Sequence, residues 1–527
     1  MDEAHEPAFR GPADVSHDYE RDIGDPGEYP FTRGHSGAAR TGDGWVHREL
    51  SGEGSPAESN RQLKYLISQG ATGLDVIGDA PTVGLMDPDH PYARESVGTQ
   101  GVSICRVGDF STLYDGIPLE AVSVSHSLPA CFTVAGLYQV ARDRGMDPAL
   151  LRGSTINAPF FMEDYAYATL LPFDARLRMA LDAIEFATEH MPRFHPFVED
   201  TYFISDGGIG PVEEMALGFI EIREVVRRLI ERGLDVDRFA RRIAILVNCR
   251  MTVFAEIAKI RASRRIFARM MREEFGATDP RSWQAHITVH TSGASLTAQQ
   301  PVNNVVRGAV QAFALALAGV KAMEISAFDE AYRTPSDAAH LVALRTQQVV
   351  ALESDALSSI DPLGGSYFVE SLTDSMEARI LERVRHIEGL GSASELFEKG
   401  YFRSLFQEAM IETNAEVADG VRPVVGVNTL AIPEEEDTLL AEHTAAKITP
   451  SYDHTAEVAR WKAGRDPEVV RAAVDDIRRA AADPGVNLVG PILSAFASDA
   501  TIGEITGAIR VAYGMAPDPL QKEDLHA

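Results

Sequence analysis

From about residue 60 to about residue 370 the chain alternates short β-rich runs with longer helical ones, and no other feature constrains its fold as much. The β-rich runs are 73–77 (GLDVI), 122–127 (VSVSHS), 153–157 (GSTIN), 197–204 (FVEDTYFI), 243–247 (IAILV), 286–291 (HITVHT), 322–326 (AMEIS) and 358–361 (SSID). Between them, segments such as 211–232 and 303–319 place apolar residues three and four apart, the period of an amphipathic helix. Strands and helices in this order predict an α/β fold, a (β/α)8 TIM barrel over 60–370. A length of 527 residues by itself also admits three or four domains. Residues 1–28 are polar, acidic and rich in Gly and Pro, so 1–59 reads as an N-terminal arm and substrate-access segment. The helical period returns at 372–390, 392–417 and 466–482, so 371–527 reads as a helical extension, with the acidic run 433–437 (PEEED) as a solvated loop.

Several candidate strands carry polar residues: Asp75, Ser123, Ser125, His126, Thr155, Asn157, His286, Thr288, His290 and Glu324. A barrel interior is ordinarily filled by branched aliphatics. Two readings are open here: a barrel whose axis faces something polar, or polar strand ends above an aliphatic core.

Composition narrows the function. Lys and Arg number 49 against 78 Asp and Glu, a formal charge of −29, and a field of that sign repels nucleic acid and anionic membranes. Apolar runs such as 308–320 fall short of the ~20 residues of a membrane span, and the first residues lack the basic start and apolar core of a signal peptide. A cytoplasmic protein is expected. Three cysteines, Cys105, Cys131 and Cys249, have no C-x-x-C spacing, so neither a disulfide framework nor a thiolate metal site is predicted.

Seven segments, in order along the chain, carry a resemblance: YPFTRG (29–34), IPLEAVSVS (117–125), TSGASLTAQQPVNNVVRG (291–308), DEAYRTPSD (329–337), RTQQVVALES (345–354), IDPLGGSYFVE (360–370) and GVN (426–428), with RDPEVV (465–470) following. In these the sequence resembles the adenosylcobalamin-dependent acyl-CoA mutases, and the match spans nearly the whole chain. The resemblance implies a barrel threaded by the acyl-CoA chain and capped by cobalamin at the carboxyl ends of the strands. It also implies radical chemistry, in which the cofactor supplies the radical and the protein supplies position and exclusion of water. The family's cobalamin-binding domain carries D-x-H-x-x-G, and no such motif occurs here. The chain therefore resembles the large subunit of the two-subunit isobutyryl-CoA and 2-hydroxyisobutyryl-CoA mutases. The resemblance implies a small partner subunit that ligates the cobalt, in a hetero-oligomer of two large and two small subunits.

Carried over residue by residue, the resemblance implies a substrate without a second carboxylate. Leu50 falls where methylmalonyl-CoA mutase has a tyrosine wedged against the substrate. Ala166 falls at or near the arginine that pairs with the methylmalonyl carboxylate, and an alanine offers no bidentate partner. Ile77 occupies the position of an aspartate that holds the substrate hydroxyl in the hydroxyacyl enzyme. Asp75, two residues earlier, shares the strand face of Ile77. Tyr202 keeps the tyrosine of the S-G-Y-H segment, whereas Phe203 replaces its histidine and cannot donate a hydrogen bond to the thioester carbonyl. His126, His286 and His290 are the candidate replacements by strand position, each equally readable as a structural residue. Gln100 and Glu353 are the candidate cofactor contacts. The segment HSGAARTGDG (35–44) lacks the aromatic and basic residues that grip CoA in relatives. Two functions are carried forward: a mutase acting on a branched or hydroxylated acyl thioester, and a catalytically divergent relative serving as a binding partner or using a different acyl carrier.

Overall fold

The computed structural model describes residues 10–15, 17–35, 44–161, 171–440, 448–518 and 520. Nine parallel strands organise it: β1 Val46–His47, β2 Leu50–Ser51, β3 Gly73–Ile77, β4 Ser123–Ser127, β5 Gly153–Ile156, β6 Phe194–Asp200, β7 Ile243–Cys249, β8 His286–Thr291 and β9 Ala322–Glu324. The class is α/β, of the (β/α)8-barrel kind with an N-terminal arm and C-terminal helices. No described helix is long and apolar enough to cross a membrane.

The chain divides into two compact units. One comprises residues 48–199, 332–341 and 442–527, with strand order β2-β3-β4-β5-β6. On β3 and β4 the side chains alternate between two faces: Leu74, Val76 and Val124, all fully buried, take one, and Asp75, Ile77, Ser123, Ser125 and Ser127 the other. Its C-terminal helices are fastened by charge. Lys462 donates to Asp87 (2.8 Å) and Asp89 (2.6 Å), and Asp87 also accepts from Thr501 Oγ1 (2.5 Å) and the Gly503 amide (2.9 Å). Arg465 forks onto both oxygens of Glu504 at 2.8 Å.

The other unit comprises residues 1–47, 200–331 and 342–441, with strand order β1-β9-β8-β7. Polar residues again fall on alternate positions: His286, Thr288 and His290 share one face of β8, while Ile287 and Val289 are buried on the other. Asp75 with Ser125, and His286 with Thr288 and His290, thus share strand faces within their units. Residues 17–35 of the arm pack within this unit. Asp22 is buried and pairs with Arg269 (2.7 Å), and Thr32 donates to the Asp22 carbonyl (2.8 Å).

The expected helices at 211–232, 303–319 and 466–482 are found as Pro211–Glu231, Asn303–Ala318 and Pro467–Ala482. Three expectations are corrected. The strand at 197–204 ends at Asp200 and gives way to a helix, Thr201–Asp206, because the Asp200 carboxylate accepts the Phe203 amide (3.2 Å) and caps it. Residues 358–361 form a turn instead of a strand: Asp361 sits at φ 46° and takes salt bridges from Arg33 and Arg261. The helix at 392–417 is two, Ala393–Glu398 and Tyr401–Ala418, broken at Gly400 with φ 72°.

Candidate functional site

The carboxyl end of β6 continues directly into the helix Thr201–Asp206, and this one short helix carries Tyr202, Phe203 and Asp206. The start of this helix is tied to β7: the Thr201 hydroxyl donates to the Leu246 carbonyl (2.9 Å) and to Glu214 Oε1 (3.2 Å). Beneath it lies a fully buried ion cluster in which Lys259 Nζ reaches Glu214 Oε2 (2.8 Å), Glu256 Oε2 (2.6 Å) and the Asn248 carbonyl (2.8 Å). Both carboxylates hold the lysine charged against the cost of burial, so Lys259 is no free amine for Schiff-base chemistry.

Tyr202 is the centre of the cluster. Its ring stacks on His290 with centroids 4.6 Å apart and planes at 11°, and the Phe203 ring stands edge-on to it at 5.5 Å. The Tyr202 hydroxyl accepts from the Gly293 amide (3.3 Å). Burial, with the nearby Asp206 and Glu330 carboxylates, pushes its pKa well up, so it is a neutral hydrogen-bonding group. His290 Nε2 meets the Ser326 hydroxyl at 3.1 Å, and that hydroxyl gives its hydrogen to the Thr291 carbonyl (2.7 Å). The hydroxyl therefore accepts from His290, which fixes the ring's tautomer. Burial pushes the His290 pKa down to about 3, so the ring is uncharged at neutral pH.

Asp206 ties its helix to the carboxyl ends of β7 and β8. Its carboxylate accepts from Asn248 Nδ2 on β7 (3.1 Å), from Ser292 Oγ just past β8 (2.8 Å) and from the Ala294 amide (3.3 Å). Gly293 lies against these groups: a methyl there would stand 3.1 Å from Tyr202 Oη, 3.2 Å from Asp206 Oδ2 and 3.6 Å from Glu330 Oε1. The residue type at 293 is thus set by the oxygens around it.

The unit that contains residues 48–199 holds another polar row. Leu50 pairs with Asp75 and Asp75 with Ser125 across β2, β3 and β4, and the Ser154 hydroxyl donates to Ser125 Oγ (3.0 Å). Ile77 lies two residues along on the same face, opposite Ser127. This row is shape and hydrogen-bonding capacity, with Leu50 as its aliphatic member.

The remaining candidates are spread out. His126 faces the helices: its Nδ1 meets the Ser154 carbonyl (2.7 Å) and its Nε2 the Tyr114 hydroxyl (2.6 Å), so both nitrogens are engaged and burial pushes its pKa down to about 4. His286 begins β8, four residues before His290, with its ring edge-on to His35 at 5.8 Å. That is the amino end of the strand, whereas barrel chemistry occupies the carboxyl end. Gln100 and Glu353 are both exposed, one in each unit. Ala166 lies outside the described residues. The structure therefore brings Tyr202, Phe203 and His290 together in one unit, and Leu50, Asp75 and Ile77 in the other.

Asp206, Asn248, Ser292, Gly293 and Glu330 were not singled out from sequence. Ser292, Gly293 and Glu330 do lie in two of the segments that carry the resemblance, TSGAS and DEAY.

A family model described as methylmalonyl-CoA mutase matches residues 5–515. Among curated proteins, the chain is 34% identical over 505 residues to the 2-hydroxyisobutanoyl-CoA mutase large subunit of Aquincola tertiaricarbonis, covering 95% of this chain and 89% of that one. It is 32% identical to the methylmalonyl-CoA mutase of Escherichia coli K12, covering 93% of this chain and 68% of that one. It is likewise 32% identical to the probable methylmalonyl-CoA mutase large subunit of Mycobacterium tuberculosis H37Rv, covering 93% and 66%.

Proposed function

Because the chain belongs to the methylmalonyl-CoA mutase family and is an isomerase of the acyl-CoA mutase type, we propose that it is the large subunit of an adenosylcobalamin-dependent carbon-skeleton mutase. Its substrate on this reading is a branched or hydroxylated acyl thioester without a second carboxylate. A small subunit carries the cobalamin and supplies the cobalt's lower ligand, in a cytoplasmic assembly of two large and two small chains. The residue ranges 1–59, 60–370 and 371–527 serve as arm, barrel and helical extension.

The observation that carries this reading is the pairing of Leu50 with Asp75 and Ser125 on one strand face. An aliphatic side chain beside a carboxylate and a hydroxyl suits an acyl group that has methyls and a hydroxyl. The cation adjoining this face is Arg48, whose guanidinium donates to Ser123 Oγ at 3.3 Å.

The chain's own groups fit the cofactor in kind. Asp206 and Glu330 set carboxylate oxygens beside Gly293, and carboxylates are the usual partners of nucleoside sugar hydroxyls. Adenosylcobalamin, when bound, supplies the radical that starts and ends the rearrangement. The chain contributes position. His290 and Gly293 fix the Tyr202 ring, the Asp206 tie fixes the turn after β8, and Leu50 and Ile77 limit the acyl group's movement. In each unit these are shape-setting and hydrogen-bonding groups, as expected of chemistry that orients radicals and excludes water.

Phe203 favours a second reading, a divergent relative that binds a cobalamin subunit without turnover or uses another acyl carrier. Of the candidate replacements, His126 is saturated and His286 is at the wrong strand end. His290, beside Tyr202, is the histidine left at the right end.

The test is product analysis on the chain reconstituted with a cognate small subunit and adenosylcobalamin, using isobutyryl, 2-hydroxyisobutyryl, pivalyl and methylmalonyl thioesters. Isomerisation of one of the first three, with methylmalonyl-CoA unchanged, is expected. Turnover of methylmalonyl-CoA alone would overturn the substrate assignment.

A further inference from the structure

The helix Asn303–Ala318, which follows β8, inverts the pattern of a surface helix. Its inward face holds polar groups. Asn304 and Gln311 are fully buried; Asn304 Nδ2 donates to the Thr297 and Phe328 carbonyls (2.8 Å each), and Gln311 Nε2 to the Cys249 carbonyl (2.8 Å). Its outward face is apolar. Val305, Val306, Ala309, Val310 and Phe313 recur at the spacing of one helix face and, with Val253 of the helix Val253–Arg269, line an open groove of about 420 Å³. Val302, one turn before Val306, lengthens the stripe; it is 54% exposed, Val306 63% and Phe313 42%. The helix has one charge, Arg307, and this is turned onto its own chain, donating to Thr297 Oγ1 (2.9 Å), Asn304 Oδ1 (2.7 Å) and the Val425 carbonyl (2.9 Å).

We propose that this stripe is the contact between two copies of the chain, packed about a two-fold axis with Phe313 of each copy entering the groove of the other. The proposal rests on the assembly of two large chains in the reading above and names the surface on which they meet.

Size, charge, shape and place argue for a second copy. Three half-exposed large apolar side chains, with the half-buried ones between them, make a patch on the order of 300–400 Å². That is about half of the ~800 Å² each partner gives to a standard interface, whose centre is its most apolar part. Each copy carries a formal charge of −29, so two copies repel wherever their acidic surfaces meet. The stripe sets no charge between them, and a basic partner would find no acid on it. A projecting ring and a hollow on one face are both halves of a contact that a two-fold axis closes. The small subunit is expected at the carboxyl ends of the strands, whereas the stripe runs along the flank of a helix.

The test is sedimentation velocity of the full chain alone, over a range of concentrations, with neither small subunit nor cofactor. The parent chain is expected to be a dimer. Val306→Asp places a carboxylate on an exposed position and is expected to raise the dimer dissociation constant about 100-fold or more, with an unchanged circular dichroism spectrum. A parent dimer that Val306→Asp leaves intact would overturn the proposal while leaving the assembly of two large chains standing. A parent monomer at every concentration would overturn both. Should Val306→Asp fail to fold, Val306→Cys replaces it, because Cys105, Cys131 and Cys249 are all buried and a maleimide reports the new thiol alone. Its reaction is expected to slow as the chain concentration rises. A rate that concentration leaves unchanged, or that falls only on adding a cognate small subunit, would overturn the proposal. Absence of turnover in the reconstituted enzyme contradicts the mutase reading and does not touch these results.

Discussion

Lys259→Met is expected to cost about 3–5 kcal/mol of stability, because it leaves the buried carboxylates of Glu214 and Glu256 without their cation. All three side chains are essentially inaccessible to water, so solvent cannot replace the lysine. The damage reaches the site. Lys259 holds the Asn248 carbonyl, Glu214 takes the Asn248 amide (3.3 Å) and the Thr201 hydroxyl, and Asn248 in turn donates to Asp206. Urea unfolding of the variant should show a much lower midpoint, and Lys259→Met combined with Glu214→Gln should recover part of the loss by removing one buried charge. Glu231→Gln, at an exposed helix end, is the matched control. A loss below about 1 kcal/mol would show that the cluster is hydrated or neutral.

Arg178→Ala is expected to free the C-terminal helices. This buried guanidinium, on the helix Phe173–His190, donates to four carbonyls at and just past the end of the helix Pro467–Ala482: Ala480 (3.1 Å), Ala481 (2.6 Å), Asp483 (2.6 Å) and Val486 (2.7 Å). It supplies both the hydrogen-bond donors and the positive charge that a helix carboxyl end lacks. Removing it should cost about 1.5–3 kcal/mol, the range for bonds to a charged donor. Limited proteolysis should then cut at 483–487, where the parent chain resists. Arg178→Lys should rescue little, since an ammonium cannot serve four carbonyls in a fork. Identical digestion patterns for parent and Arg178→Ala would contradict this account.

Much of the fold was legible because its signals are local. The helix Pro211–Glu231 announces itself by a proline in its first turn, two acids beside it and an unbroken apolar period. β1 and β2 were not legible, since two residues cannot show a period. The boundary at Asp200 was hidden because FVEDTYFI is β-rich throughout, and only the side-chain cap reveals where the strand stops. For the site, sequence placed Asp75 and Ile77 on one face correctly through the two-residue period. The same period separates His126 from Ser125 and turns it toward the helices, but which face meets helices depends on neighbours distant in sequence. Tyr202 and Phe203 came from resemblance to a motif. Asp206 and Glu330 needed the fold, because their significance lies in meeting across 124 positions around one glycine.

The central claim is that this chain directs adenosylcobalamin radical chemistry on a thioester lacking a second carboxylate. Anaerobic electron paramagnetic resonance tests it most directly, on the chain mixed with a cognate small subunit, adenosylcobalamin and each of the four thioesters in turn. The expected result is a coupled cobalt(II) and organic radical signal with an isobutyryl, 2-hydroxyisobutyryl or pivalyl thioester and none with methylmalonyl-CoA. Silence with all four, with cofactor demonstrably bound, would contradict it and leave Phe203 as the mark of a chain that no longer carries out this reaction.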